Sequence, residues 1–240
     1  MIVYSDTCLA AMRRVSTATL TTALFRRGLR NVFLQGVRPL GRYAANLVGP
    51  AFTLRNIPAR EDLDRLDGFA NPEHPQRKAI ETTPAGHVLV MDCRGERRAA
   101  SGGEILMTRL AVRGVAGVVS DGGIRDSAPI AALAMPVFCA GPSAPLNLVV
   151  HHATELQVPI GCGGVAVYPG DLIVGDADGV VVVPAGLAEE VAAEAVEQER
   201  MEGWILRRVQ DGARVPGTYP PDAATQAAYL VWRAAQDGGQ

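Results

Sequence analysis

Blocks of apolar residues along this chain alternate with polar, glycine-rich and proline-rich stretches, and their periods separate short buried strands from amphipathic helices. Residues 6–28 carry Leu9, Met12, Val15, Leu20 and Leu24 as a helical stripe, with Asp6 placed to cap the start and Gly28 to end it. Residues 49–54, apolar around Phe52, predict a short strand. The polar stretch 56–78 is interrupted by Pro58, Pro72 and Pro75. It predicts a long loop with a short helix, lying over a site or a neighbouring subunit. The pattern then sharpens. HVLVMDC at 87–93 predicts a buried strand, 104–113 a helix ended by Gly114, and 115–120 a second buried strand running into the turn Asp121-Gly122-Gly123. A short helix at 127–134 and a strand at 136–139 follow. Strands at 164–167, 171–174 and 180–183 are separated by Tyr168-Pro169-Gly170 and Asp176-Ala177-Asp178-Gly179. Residues 186–210 predict a long helix, acidic early and with Arg207-Arg208 late, the polarity that the helix dipole favours. A proline-rich tail from Gly212 leads to a helix at 222–236. Interleaved strands and helices place the chain in the mixed α/β class.

Composition narrows the function. A net charge of -2 and 5% aromatic residues give neither the basic patch nor the stacking surface of a nucleic-acid binder. No apolar run reaches the roughly 18 residues of a membrane span, and the N-terminal residues lack the pattern of a secretory signal. The four cysteines, Cys8, Cys93, Cys139 and Cys162, are scattered singly, which suits buried thiols in a reducing cytoplasm rather than a zinc site.

The chemistry concentrates in SGGEILMTRLAVRGVAGVVSDGGIRD, residues 101–126. Gly102-Gly103 stands before a helix beginning near Glu104. A small carboxylate can rest on the free amides of Ile105 and Leu106 there, although a plain helix start reads the same way. The strand VAGVVS runs straight into DGGIRD, a placement common for site residues in α/β folds. Arg125 can fork onto a carboxylate or carbonyl oxygen, and Asp126 is a hard oxygen ligand for magnesium or manganese. The same pair also reads as surface charges on a turn. Glu104 precedes Arg125 by a helix and a strand that can fold back, bringing a second carboxylate towards Asp126.

Glu104, twenty residues, then Arg125-Asp126 resembles the D-x20-R-D signature of the class II pyruvate aldolases that cleave 4-hydroxy-4-methyl-2-oxoglutarate and 4-carboxy-4-hydroxy-2-oxoadipate. That family also contains the regulator of ribonuclease activity A (RraA) proteins. The resemblance runs from about residue 15 to 210 and includes RGVAGVVSDGGIRD, MPVFCAGPSAP and VPIGCGGVAVYPGDLIVGDADGVVVVP. It implies a swivelling β/β/α domain, an α-β-β-α sandwich, over residues 1–210. Residues 211–240 form a tail packed on the same or a neighbouring subunit.

The resemblance also implies roles. Asp126 binds a divalent cation, Mg2+ or Mn2+, and Arg125 contacts the pyruvyl oxygen and carboxylate. Gly103 and the amides of Ile105 and Leu106 cradle that carboxylate. Glu104 replaces the family's first Asp, which holds the metal's waters, and is one methylene longer. From the C-terminal helix of a neighbouring subunit, Glu202 approaches the same waters, with Glu199 as the alternative; the assembly is a homotrimer or a pair of trimers. NPEHPQRKAIE lies where the family shapes the distal pocket, so His74, Gln76, Arg77 and Lys78 either meet a second carboxylate or are solvated. His151-His152 is not read as a metal site, because adjacent residues aim apart on a regular element. The implied reaction is retro-aldol release of pyruvate, with oxaloacetate decarboxylation alongside. A non-catalytic regulator of a ribonuclease and a lyase or hydratase on a sugar-derived 2-oxo acid are the alternatives. Lys78 is the only lysine, and it lies outside the motif, which favours metal over Schiff-base chemistry.

Overall fold

Two helices, not one, occupy the N-terminal stretch: α1 (Asp6–Met12) and α2 (Thr17–Arg26), seen in a computed structural model that describes residues 3–238. Ser5 rather than Asp6 caps α1, its side chain accepting from the Cys8 amide at 3.0 Å. The break follows from Ser16, whose hydroxyl takes the Thr19 amide at 3.1 Å and so starts a second helix. Thr17 fixes that start by donating its amide and hydroxyl to Asp176 at 2.7 and 2.9 Å.

After β1 (Arg38–Pro39) comes β2 (Leu47–Pro58), which outruns the predicted strand. Pro75 opens α3 (Pro75–Thr82) within the region expected to be mostly loop; its fixed φ suits the first helical position, and Ala79 and Ile80 bury the inner face. The elements β3 (Val88–Asp92), α4 (Glu104–Val112), β4 (Gly117–Ser120), β5 (Gly123–Ile124), α5 (Ser127–Ala131), β6 (Val137–Cys139) and β7 (Gly141–Pro142) follow. Next come β8 (His151–Leu156), β9 (Ile160–Cys162), β10 (Val165–Val167), β11 (Leu172–Gly175), β12 (Val180–Val183) and α6 (Ala188–Gln210).

The main sheet has the order β1-β6-β4-β3-β2-β11-β12, with β8 also pairing β2. β2, β3, β4 and β6 are parallel neighbours, joined by crossovers that carry α3, α4 and α5. The register sets Phe52 beside Leu89, Leu89 beside Val118 and Val118 beside Val137. These residues face the helices and pack with Met107, Leu110 and Ile130. The alternate residues Ala51, Val88, Val90 and Val119 face the other way, against Val165, Val167, Ile173 and Val182. Burial on both faces is why these strands read as unbroken apolar runs. Truncating the fully buried Leu89 to Ala should cost about 2–5 kcal/mol.

The described residues fall into two units that part between Ala192 and Ala193, within α6. The reason lies in the second unit, where α7 (Val215–Thr218) leads to α8 (Ala223–Asp237) and α8 folds back on α6. Trp204 and Ile205 pack with Tyr229, the Trp204 and Tyr229 rings lie 5.6 Å apart, and the Tyr229 hydroxyl donates to Glu197 at 2.8 Å. The C-terminal part of α6 therefore belongs with the tail.

Candidate active site

The site is assembled beyond the carboxyl ends of β3 and β4. Asp121, just past β4, is 5% exposed, and its carboxylate accepts the amides of Cys93, Gly95 and Gly163 at 2.6, 3.0 and 3.1 Å. It thereby ties the ends of β3 and β4 to the turn between β9 and β10. Burial raises its carboxyl above the usual range, against the lowering effect of these amides. In the sequence Asp121 reads only as part of a turn. An acid directly after a buried strand was the one available sign of its role.

The Asp121-Gly122-Gly123 turn continues into β5, which pairs in parallel with β7. Residues 101–103 are drawn alongside it. The Ser101 amide donates to Gly123 O at 2.8 Å, the Arg125 amide to Gly102 O at 3.1 Å, and the Ser101 and Ser120 hydroxyls lie 2.9 Å apart. At this seam the predicted residues meet. The Glu104 amide donates to Asp126 Oδ2 at 3.1 Å, and Arg125 Nε lies 3.4 Å from the same oxygen. Gly103 makes the approach possible, since a Cβ there would lie 2.6 Å from Asp126 Oδ2 and 3.0 Å from Arg125 Nε.

Asp126 has φ 56° and ψ 41°, a left-handed conformation that only a few non-glycine residues tolerate. It stands at the cap position of α5, yet its side chain makes no bond to that helix. The carboxylate turns instead to the start of α4. Of the amides expected to cradle a carboxylate, that of Leu106 donates to Gly103 O at 3.1 Å. The Ile105 amide sits at the second position of α4, where no acceptor of its own helix precedes it.

These groups line one wall of a cleft of about 430 Å³ that includes Gly102, Gly103, Glu104, Ile105, Leu106, Arg125 and Asp126; Leu66, Phe69, Gln76, Arg77, Ala100, Leu146 and Asn147 line the rest. The Arg77 guanidinium lies over the Phe69 ring, 4.3 Å from its centre. Of the four polar-loop residues named from the sequence, Gln76 and Arg77 line this cleft. His74 lines a separate cavity with Asp64 and His152, and Lys78 pairs with Glu73 at 2.7 Å on the surface. His151 and His152 point to opposite sides of β8: His151 is buried with Nδ1 3.4 Å from Arg94 Nη2, whereas His152 Nδ1 lies 2.7 Å from Asp64 Oδ1. Glu202 lies in the second unit, where it accepts from Gln198 Nε2 at 2.6 Å. Asn147, Leu66 and Phe69 were missed, because nothing in their spacing marks them as wall residues.

The chain is thus a parallel-stranded α/β domain with an Arg-Asp pair set against a glycine-led helix start on one wall of a cleft. Residues 17–182 match the RraA-like family, described as Aldolase/RraA, and the chain belongs to that family. A protein of Halalkalibacterium halodurans named "Putative 4-hydroxy-4-methyl-2-oxoglutarate aldolase" is 33% identical over 207 residues, 86% of this chain and 90% of that one. Among solved structures, Streptomyces coelicolor RraAS2, described as an unusual member of the RNase ES inhibitor RraA protein family, is 31% identical with a TM-score of 0.74, over 84% of this chain and 96% of that one. An uncharacterized protein from Pseudomonas syringae pv. tomato is 26% identical with a TM-score of 0.76, over 90% of this chain and 98% of that one. The RraA-like fold expected from the motifs is the fold observed.

Proposed function

We propose that this chain is a divalent-metal-dependent lyase that cleaves a 4-hydroxy-2-oxo dicarboxylic or tricarboxylic acid to pyruvate, with oxaloacetate decarboxylation as a second activity through the same enolate. The observation that carries the reading is the meeting of the Glu104 amide, the Asp126 carboxylate and the Arg125 side chain on one cleft wall. The donor set fits Mg2+ or Mn2+: Asp126 and Glu104 offer only carboxylate oxygens, the ligands hard cations take. No group of three His, Cys, Asp or Glu residues suited to a metal occurs among the described residues. Two carboxylates leave the remaining positions to water and substrate, the habit of magnesium.

The chemistry such an ion supplies when bound is Lewis-acid polarisation of the 2-oxo oxygen. Arg125 adds a fixed positive charge beside the enolate oxygen as it forms. The Ile105 amide, at the positive end of α4, takes the pyruvyl carboxylate, and Arg77 takes a second carboxylate. A water takes the 4-hydroxyl proton as the C3–C4 bond breaks, C4 becomes a carbonyl, and the bonding electron pair passes into the pyruvate enolate. The proton held by that water is then returned to C3, which gives pyruvate. Lys78 lies on the surface outside the cleft, which supports this route over a Schiff base.

The chain works as a homotrimer or hexamer in which Glu202 approaches a neighbour's metal waters. It acts in the cytoplasm, a reducing setting that suits four free, buried cysteines. No helix among the described residues is long and apolar enough to cross a membrane. The second reading, a regulator of a ribonuclease, has the likeness to Streptomyces coelicolor RraAS2 behind it. The purified chain should release pyruvate from 4-hydroxy-4-methyl-2-oxoglutarate with Mg2+, stop in excess EDTA and recover on adding Mg2+. Full release in EDTA would overturn the metal route. No release with any divalent ion, together with inhibition of a ribonuclease, would favour the regulator.

A further inference from the structure

Six buried side-chain polar atoms lack a hydrogen-bond partner among the described residues, and two of them, Gln76 Oε1 and Asn147 Oδ1, belong to side chains that line the cleft. A buried acceptor without a donor is costly, and such atoms concentrate where a ligand or water completes them. Gln76 is the more informative, because its orientation is fixed. Its Nε2 donates to the Ser101 carbonyl at 2.7 Å, and the whole residue is 2% exposed. Reversing the amide would set Oε1 against that carbonyl oxygen, acceptor against acceptor. The free position on Gln76 is therefore an acceptor. A carboxylate, which carries no proton at neutral pH, cannot satisfy it; a hydroxyl can.

The location adds to this. Ser101 begins the run through Gly102 and Gly103 to Glu104, so the Gln76 amide is anchored to the segment that forms the start of α4. It borders the same cleft as Arg125 and Asp126. We infer that Gln76 is a specificity residue whose Oε1 accepts a hydrogen bond from the 4-hydroxyl of the substrate, an inference that rests on the lyase reading above. An amide oxygen is too weak a base to remove the proton. Its effect is to hold the hydroxyl in one orientation and to favour hydroxylated over unhydroxylated diacids. Without the hydroxyl, the buried acceptor stays unpaired.

The test uses two diacids that lack the 2-oxo group and so cannot be cleaved: 2,4-dihydroxyglutarate and 2-hydroxyglutarate. Binding is measured by calorimetry with Mg2+ present, and oxalate reports the 2-oxo-acid end of the cleft. The wild-type chain should bind 2,4-dihydroxyglutarate about tenfold more tightly than 2-hydroxyglutarate. Gln76→Met should bring the two within about twofold by weakening the dihydroxy acid more than the monohydroxy acid. Equal wild-type affinities would overturn the inference, even should the variant fail to fold. So would a variant that weakens both diacids alike, since that is what loss of the Ser101 tie alone would do. If oxalate binds and the diacids are not distinguished, only this inference falls. If none of the three binds, the lyase reading falls with it.

Discussion

The Asp126 carboxylate accepts the backbone N–H of Glu104 at 3.1 Å and so joins the start of α5 to the start of α4. A group that ordinarily caps its own helix has been turned, through a left-handed backbone, to face another. The same oxygen lies 3.4 Å from Arg125 Nε, so the carboxylate is held from two sides while its side chain remains partly open to the cleft.

Asp126→Asn should separate chemistry from folding. Asn tolerates the left-handed backbone and keeps an oxygen for the Glu104 amide, so unfolding free energy should change by no more than about 1 kcal/mol. Removing the negative charge should lower kcat/KM by about a hundredfold or more, and Arg125→Ala should do the same. Urea melts beside pyruvate-release kinetics check both; near-normal turnover in either pure variant would refute the site.

Gly103→Ala tests close approach. The backbone there is extended, with φ -139° and ψ -177°, so alanine brings no torsional strain. Its Cβ would nevertheless come within 2.6 Å of Asp126 Oδ2. The carboxylate must move, and activity should fall by about tenfold to a hundredfold while the far-ultraviolet spectrum stays native. Unaltered kinetics would mean that Asp126 need not sit where it does.

The legible part of the molecule was the part whose signal is local. Val88–Asp92 and Val180–Val183 are buried on both faces, which leaves a largely apolar run, and DGGIRD follows another such strand directly. β8 escaped because HHATEL is polar, and its strand character comes from pairing with β2, about a hundred residues away in sequence. That pairing also explains why β2 runs on to Pro58. The N-terminal helix was joined across Ser16 because the apolar stripe continues through the break, while the hydroxyl cap that interrupts it is only one residue long. Gln76 was placed near the distal pocket only through the resemblance, and Asn147 carried no signal at all. An amide becomes a recognition group only when the fold commits one of its ends, as Ser101 commits Gln76.

Glu202→Ala addresses the assembly. Its carboxylate is held by Gln198 one helical turn earlier, a part-buried i,i+4 tie worth about a few tenths of a kcal/mol, so folding should be little affected. If a neighbour's Glu202 reaches the metal waters, apparent Mg2+ affinity should fall severalfold while the trimer persists by light scattering. A fully active monomer at micromolar concentration would exclude the shared site.

His151 should make stability depend on pH in a defined window. Burial, and then the nearby Arg94 cation, push its pKa down from 6.5 to about 4. An unfolded chain takes up this proton below about 6.5, whereas the folded chain refuses it until about pH 4. Between those values the unfolded state holds more protons, so stability falls as pH falls, and it is insensitive to this group above the window. The full effect is on the order of 3 kcal/mol. The buried carboxyls of Asp92 and Asp121 are raised instead, chiefly by burial, and contribute the opposite slope. The useful quantity is therefore the difference between wild type and His151→Gln, in which the carboxyls cancel. Urea melts at pH 7.5 and 5.0 should show the wild type losing more stability than the variant. Parallel losses would show that His151 is protonated in the folded chain as readily as in water.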